Sequence, residues 1–146
     1  MAEIGFYHLT RSTLEEALPR LLQRTLAAGQ RALVLTRDDA TRDALDEALW
    51  RQPAWLPHGT ETDGDADLQP IWLSARPEAA NGARFLFLTH GTSTDRIGDF
   101  DRAFDLFDGT REDAVQAARQ RWKAARDAGH TVTYWQQTEK GWQQKA

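Results

Sequence analysis

The segment at residues 31–36, RALVLT, carries four apolar residues in succession, from Ala32 to Leu35. A strand with one exposed face would alternate apolar and polar residues, whereas no polar residue interrupts this run. A strand of this kind is typical of a parallel sheet whose two faces are both covered by helices. The chain is therefore predicted to be an α/β protein.

Predicted helices and strands alternate along the rest of the chain. The helices are expected at residues 12–29, 39–50 and 110–129, and the other strands at Glu3–Leu9, Pro70–Ser74, Arg84–His90, Phe104–Asp108 and Thr131–Trp135. This order predicts a single Rossmann-like domain with a mainly parallel sheet flanked by helices. We assign the domain to residues 1–135 and a mobile C-terminal tail to residues 136–146.

The start of the first helix carries two signals. Ser12 and Glu15 have the spacing of a capping box. Pro19 is suited to the first turn of a helix rather than to its interior, which moves the expected start of regular helix to Leu18.

The turn after the first strand, HLTRST at residues 8–13, contains no glycine. The dinucleotide-binding fingerprint and the Walker A loop both need glycines here, because backbone amides must approach a phosphate closely. The chain also has no cysteine, and its four histidines are scattered without the spacing of metal ligands. We therefore expect no nucleotide, no metal and no other cofactor.

His8 and His90 fall near the carboxyl ends of two predicted strands, where α/β enzymes often keep their active sites. Together with Asp95 they could form a hydrolytic or metal-dependent site. The GxSxG nucleophile motif is absent from the sequence. A small α/β hydrolase or metal enzyme stays open as an alternative function at this point.

The last predicted helix contains a cluster of bases, ARQRWKAARDAG at residues 118–129. Arg119, Lys123 and Arg126 are spaced i, i+4 and i+7 and so share one helix face, with Trp122 at its flank. This face could be simply solvated, or it could bind a ligand that joins carboxylates to an apolar group. Direct binding of single-stranded nucleic acid is a third possibility, although the net charge of −4 argues against coating by the whole surface.

A second unusual stretch, ALWRQPAWLPHG at residues 48–59, concentrates aromatic residues in a loop behind a helix. Loops normally lie on the surface, where large aromatic side chains need to be covered. Trp50, Trp55, Pro57 and His58 therefore either fold back onto the core or contact another molecule.

The N-terminus lacks a basic segment followed by a long apolar run, and no apolar stretch approaches 18 residues. The expected location is the cytoplasm, and no membrane partner is expected.

Five segments resemble the chi subunit family of bacterial DNA polymerase III. They are FYHL at residues 6–9, GQRALVLT at 29–36, LDEALW at 45–50, LPHG at 56–59 and ARQRWKAARDAG at 118–129. The likeness covers nearly the whole chain in the same order. It implies a non-catalytic accessory subunit of the clamp-loader assembly in DNA replication, which meets DNA only indirectly.

The resemblance also implies two partners. One is the psi subunit, whose contact region corresponds to Trp50, Trp55, Pro57 and His58. The other is the acidic C-terminal tail of single-stranded-DNA-binding protein, which combines aspartates with a terminal Pro-Phe. By position, Arg119, Trp122 and Lys123, with Arg126 beside them, would bind this tail.

The sequence departs from the family pattern in two places. Val115 stands one turn before Arg119, where a family member can carry an additional base. The C-terminal segment TYWQQTEKGWQQKA is longer and richer in tryptophan than the family minimum, and the resemblance assigns no role to Trp142.

Overall fold

The computed structural model describes residues 2–53 and 55–146, which form three helices, eight strands and two short 3₁₀ turns. In chain order these elements are β1 Glu3–Leu9, α1 Leu14–Ala27, β2 Ala32–Leu35, α2 Asp39–Trp50, β3 His58–Thr60, β4 Ile71–Ser74, β5 Phe85–Leu88, β6 Arg102–Asp108, α3 Glu112–Asp127, β7 Thr131–Thr138 and β8 Gly141–Gln144. The 3₁₀ turns are Ala66–Leu68 and Ile97–Asp99.

The eight strands form one sheet in the order β3-β4-β2-β5-β6-β1-β7-β8. Neighbouring strands run parallel from β3 to β7, whereas β8 pairs antiparallel with β7. Ala32–Leu35 of β2 lie near the centre of the sheet and are buried along their whole length. The prediction of a single Rossmann-like α/β domain with a mainly parallel sheet is confirmed.

The helices divide between the two faces of the sheet. Leu18 and Leu22 of α1 and Leu45 and Leu49 of α2 belong to the core on one face, and Ala118 of α3 belongs to the core on the other. The crossovers from β1 and from β6 therefore leave on opposite faces, although β1 and β6 are neighbours. Where the crossovers of two neighbouring strands leave on opposite faces, a crevice opens at the carboxyl ends of these strands.

The start of α1 differs from the prediction. The capping box consists of Thr13 and Glu16, each one residue later than the predicted Ser12 and Glu15. The Glu16 carboxylate accepts a hydrogen bond from the Thr13 amide at 3.0 Å. The helix begins at Leu14 and includes Pro19 in its interior. Pro19 is buried on the apolar face of α1, and this burial offsets the one helical hydrogen bond that proline cannot donate.

The segment predicted as a mobile tail is largely strand. The boundary placed between residues 135 and 136 falls inside β7, which continues to Thr138, and β8 follows after a two-residue turn. Trp142 of β8 packs edge-on against Tyr7, with ring centroids 5.0 Å apart. The strand predicted at Thr131–Trp135 is the first part of β7. Sequence periodicity missed the extension of β7 to Thr138 and the whole of β8, because glutamine and threonine fill most of these positions and leave little apolar alternation to detect.

No helix in the described parts of the chain combines the length and the apolarity needed to cross a membrane.

Candidate interaction surfaces

The β1–α1 turn, where nucleotide-binding folds hold a phosphate, is filled by a side chain of the protein itself. The amides of Thr10, Arg11 and Ser12 all donate hydrogen bonds to the Gln137 side-chain oxygen, at 3.0, 2.9 and 3.1 Å. Gln137 Nε2 in turn donates to Ser12 Oγ at 2.6 Å. These three amides would be the donors for a phosphate at this position. Sequence reasoning missed the contact because it joins residues more than 120 positions apart.

A cavity of about 710 Å³ lies beside this turn, in the crevice between α1 and α3. Its charged lining comprises the arginines Arg11, Arg37, Arg111 and Arg121 and the carboxylates Glu15, Glu16, Asp108 and Asp113. Bases and acids are thus balanced in number, so the lining charge does not favour an anion.

The three residues of the alternative enzyme hypothesis are not brought together. His8 Nδ1 and the Tyr134 hydroxyl form a hydrogen bond of 2.6 Å, and the His8 ring packs against Phe107. His90 is an exposed residue in left-handed conformation, with φ of 52°, and lines the cavity without His8 or Asp95. No hydrogen bond or ion pair links any two of the three, and no cluster in residues 2–53 and 55–146 could hold a metal ion.

The first candidate surface, which we call the α3 surface, consists of Arg119, Trp122, Lys123 and Arg126. The three bases are exposed, and no acidic residue falls between positions 119 and 126. The Arg126 guanidinium lies 4.8 Å from the centroid of the Trp122 ring, a cation–π distance. The helix spacing predicted this shared face, and the structure places these side chains together on α3.

Arg121, the fourth base of this helix segment, faces the interior. It donates Nε and Nη2 to the two carboxylate oxygens of Asp105 on β6, at 2.7 and 3.0 Å. Burial raises the pKa of Asp105, and the bidentate guanidinium opposes this rise. Arg121 therefore holds α3 to the sheet and leaves the α3 surface to the other three bases.

Trp122 is half-buried at the edge of the core, where Val132 and Tyr134 of β7 pack beside the same apolar cluster. Its indole Nε1 is buried without a hydrogen-bond partner among the described residues. Partial burial raises the pKa of Tyr134, while the positive charge of Arg119 lowers it.

The second candidate surface, which we call the α2–β3 surface, comprises the end of α2 and the loop that leads to β3. It contains two exposed tryptophans. Trp50 is the last residue of α2 and is 55% exposed, and Trp55 in the following loop is 80% exposed. Within the described residues, Leu68 is the only other large hydrophobic residue as exposed as these. Exposed aromatic side chains at one place are typical of a protein interface.

The loop of the α2–β3 surface has an inward and an outward side. Leu56 is buried in the core and Pro57 is half-buried, while Trp55 between Leu56 and the end of α2 points outward. Part of this stretch thus folds back onto the core, while Trp50 and Trp55 stay exposed.

His58 was predicted to contact a partner, but its side chain is fully buried. Its Nδ1 lies 2.6 Å from the Leu56 carbonyl, and its Nε2 lies 3.0 Å from the Asp46 carboxylate. The imidazole lies beneath Trp50, with ring centroids 4.0 Å apart. His58 therefore supports the Trp50 indole from below. The sequence could not show this, because burial depends on the pairing of β3 with β4.

The two surfaces lie toward opposite ends of the sheet and on opposite faces of it. β3 is an edge strand and β7 is six strand positions away in the sheet order, which corresponds to roughly 29 Å at ordinary strand spacing. A ligand on one surface therefore leaves the other accessible.

The fold and the surfaces together define a class of protein: a Rossmann-like α/β domain without a glycine loop, which carries a basic, aromatic helix face and a separate exposed aromatic patch. The model of the family described as "DNA polymerase III chi subunit, HolC" matches residues 1–133. The chain belongs to this family, whose members are subunits of a replicative DNA polymerase.

Two curated relatives agree with the family match. The chain is 30% identical over 126 residues to DNA polymerase III subunit chi of Escherichia coli (strain K12), covering 83% of this chain and 84% of the relative. It is 24% identical over 99 residues to the probable DNA polymerase III subunit chi of Rickettsia prowazekii (strain Madrid E), covering 66% of this chain and 60% of that relative. Residues 134–146, which include β8, lie beyond the range that the family model matches.

Proposed function

We propose that the chain is a non-catalytic replication adaptor that acts in the cytoplasm. In this proposal the α2–β3 surface binds the psi subunit of the clamp loader, and the α3 surface binds the acidic C-terminal tail of single-stranded-DNA-binding protein. The observation that carries the proposal is the composition of the α3 surface, in which exposed bases surround a half-buried tryptophan.

The chemistry of the α3 surface is complementary to such a tail. Arg119 and Lys123 offer charged donors to the aspartates and to the terminal carboxylate of a peptide. Trp122 and the neighbouring Val115, which packs at the edge of the same core cluster, offer an apolar contact for its last side chain. Val115 therefore contributes apolar surface where a family member can carry a base.

A labelled peptide that carries aspartates and ends in Pro-Phe tests this assignment by fluorescence anisotropy. We expect a dissociation constant near the micromolar range, about −8 kcal/mol, that weakens as salt is added. Arg119→Ala should weaken binding by more than about 1 kcal/mol, or about fivefold. Arg20→Ala, which removes an exposed arginine from α1 on the opposite face, should leave binding unchanged.

Two results would count against this role of the α3 surface: no salt-sensitive binding by the wild-type chain, or equal binding by wild type and Arg119→Ala. A gel shift with single-stranded DNA and no other protein separates the adaptor from a direct DNA-binding protein. The adaptor is expected to leave the DNA unshifted.

For the α2–β3 surface, we propose that Trp50, Trp55 and Pro57 contact psi, and that His58 contributes by positioning Trp50. Exposed aromatic anchors are the residues that most often dominate interface energies. Co-purification with the psi subunit tests this assignment. The wild-type chain is expected to retain psi, and a Trp50→Ala, Trp55→Ala double variant is expected to lose it.

A further inference from the structure

The C-terminal hairpin of β7 and β8 adds a surface that the family match does not include. The match ends at residue 133, inside β7, whereas the strands continue to Gln144. The contacts of this hairpin with α1 and with α3 determine which side of the sheet each of its faces lies on.

Contacts on the α1 side fix the hairpin in place. Gln137 of β7 accepts hydrogen bonds from three amides at the start of α1, and Trp142 of β8 packs against Tyr7. Trp135 stacks against the same tyrosine, with ring planes 7° apart. One face of the hairpin therefore packs on the α1 side of the sheet and is occupied by these contacts.

The other face of the hairpin adjoins α3. Successive residues of a strand point to opposite faces, so Tyr134 points away from the α1 side that Trp135 occupies. Tyr134 packs at the edge of the core beneath α3, together with Trp122. Across the strands, Trp135 pairs with Gln144, and the Lys145 amide donates to the Tyr134 carbonyl at 2.7 Å. Lys145 therefore follows Tyr134 on the α3 side, next to the α3 surface.

Basic residues flank this junction on both sides of β7. Arg119 of α3 and Lys145, which directly follows β8, are both exposed, and the Lys145 amide contacts the Tyr134 carbonyl. Residues 141–146, GWQQKA, include no acidic residue. Trp122 and Tyr134 edge the same apolar cluster, and we call this edge the aromatic floor; Arg119 belongs to the α3 side of it, and Lys145 follows the strand next to Tyr134.

We propose that Lys145 on the C-terminal hairpin forms a second wall of the acidic-peptide site, opposite the bases of α3. The peptide then lies between α3 and β8, with its apolar side chain on the aromatic floor and its carboxylates between the two basic walls. This inference rests on the proposed function of the α3 surface and adds a binding residue from outside the family-matched range.

Charge reversal on the hairpin tests the proposal. The acidic Pro-Phe peptide is titrated against the full-length wild type, Lys145→Glu, and Lys140→Glu as a matched control, since Lys140 lies in the β7–β8 turn. We expect Lys145→Glu to weaken binding at least fivefold and Lys140→Glu to change it less than twofold. A peptide with one aspartate changed to lysine should recover affinity for Lys145→Glu.

The outcomes separate the inference from the function on which it rests. If wild type binds, Arg119→Ala binds weakly and Lys145→Glu binds like wild type, the second wall does not exist and the proposed function stands. Equal weakening by Lys145→Glu and Lys140→Glu would indicate unspecific charge repulsion and also overturns the inference. If wild type fails to bind the peptide at all, the proposed function itself fails.

Discussion

The α3 surface and the α2–β3 surface differ in the physical basis of their recognition. The α3 surface surrounds a half-buried tryptophan with exposed charges, whereas the α2–β3 surface exposes two tryptophans with little charge between them. Charged contacts are screened by salt and act strongly on association rates, while apolar burial is nearly insensitive to salt. If the proposed partners bind at these surfaces, we expect a salt-sensitive, exchangeable contact at α3 and a lasting one at α2–β3.

Both surfaces depend on a polar group buried behind them. Behind the α3 surface, Arg121 joins α3 to Asp105 of β6. Behind the α2–β3 surface, His58 joins β3 to Asp46 of α2 and supports Trp50. In each case a buried side chain supports the element or the ring that carries the proposed binding residues. A substitution can therefore distinguish the binding groups from their supports.

The largest expected effect is on stability and comes from Arg121→Ala. The change leaves the buried Asp105 carboxylate without its partner, which costs about 3–5 kcal/mol of unfolding free energy in urea titrations near pH 7. Arg119→Ala, two residues away on the exposed face, is the matched control and should cost less than about 0.5 kcal/mol. Equal losses in the two variants would contradict the inward placement of Arg121.

The same variant has an expected pH dependence. Burial raises the pKa of Asp105, and Arg121→Ala removes the guanidinium that opposes this rise. A carboxyl whose pKa is higher in the folded than in the unfolded state destabilises the fold once pH exceeds its unfolded value. The stability deficit of Arg121→Ala should therefore shrink as pH is lowered toward the unfolded pKa of aspartate, because the buried carboxyl becomes neutral.

The sequence predicted the parts of this arrangement that depend on local periodicity. The strand β1 and the central strand β2 were recognised from their apolar runs, and the exposed face of α3 from its i, i+4, i+7 spacing. It could not predict the roles of Gln137 and His58. Gln137 contacts the β1–α1 turn more than 120 positions away, and the burial of His58 depends on the pairing of β3 with β4, so neither leaves a local pattern.

The next effect is on psi binding and comes from Trp55→Ala. Truncating an exposed aromatic anchor at the centre of an interface costs about 2–4 kcal/mol of binding free energy, or at least about 30-fold in the dissociation constant. Arg51→Ala, an exposed neighbour at the end of α2, serves as control. Calorimetric titration with psi provides the measurement, and an unchanged affinity for Trp55→Ala would remove this residue from the interface.

The smallest effect concerns the hairpin and comes from Gln137→Ala. The change leaves the Thr10, Arg11 and Ser12 amides without their acceptor, but water can reach this partly exposed turn. The expected cost is therefore about 1 kcal/mol of unfolding free energy. Hydrogen exchange should accelerate at these three amides more than in β2. Unchanged exchange at the turn would show that Gln137 does not hold it.

The central claim is that one domain binds two partners at independent surfaces toward opposite ends of its sheet. It is tested most directly by titrating the acidic Pro-Phe peptide into the free chain and into the chain saturated with psi, at two salt concentrations. The account predicts that psi changes the peptide dissociation constant less than twofold, while added salt weakens peptide binding and leaves psi bound. Displacement of psi by the peptide, or loss of peptide binding in the psi complex, would contradict it.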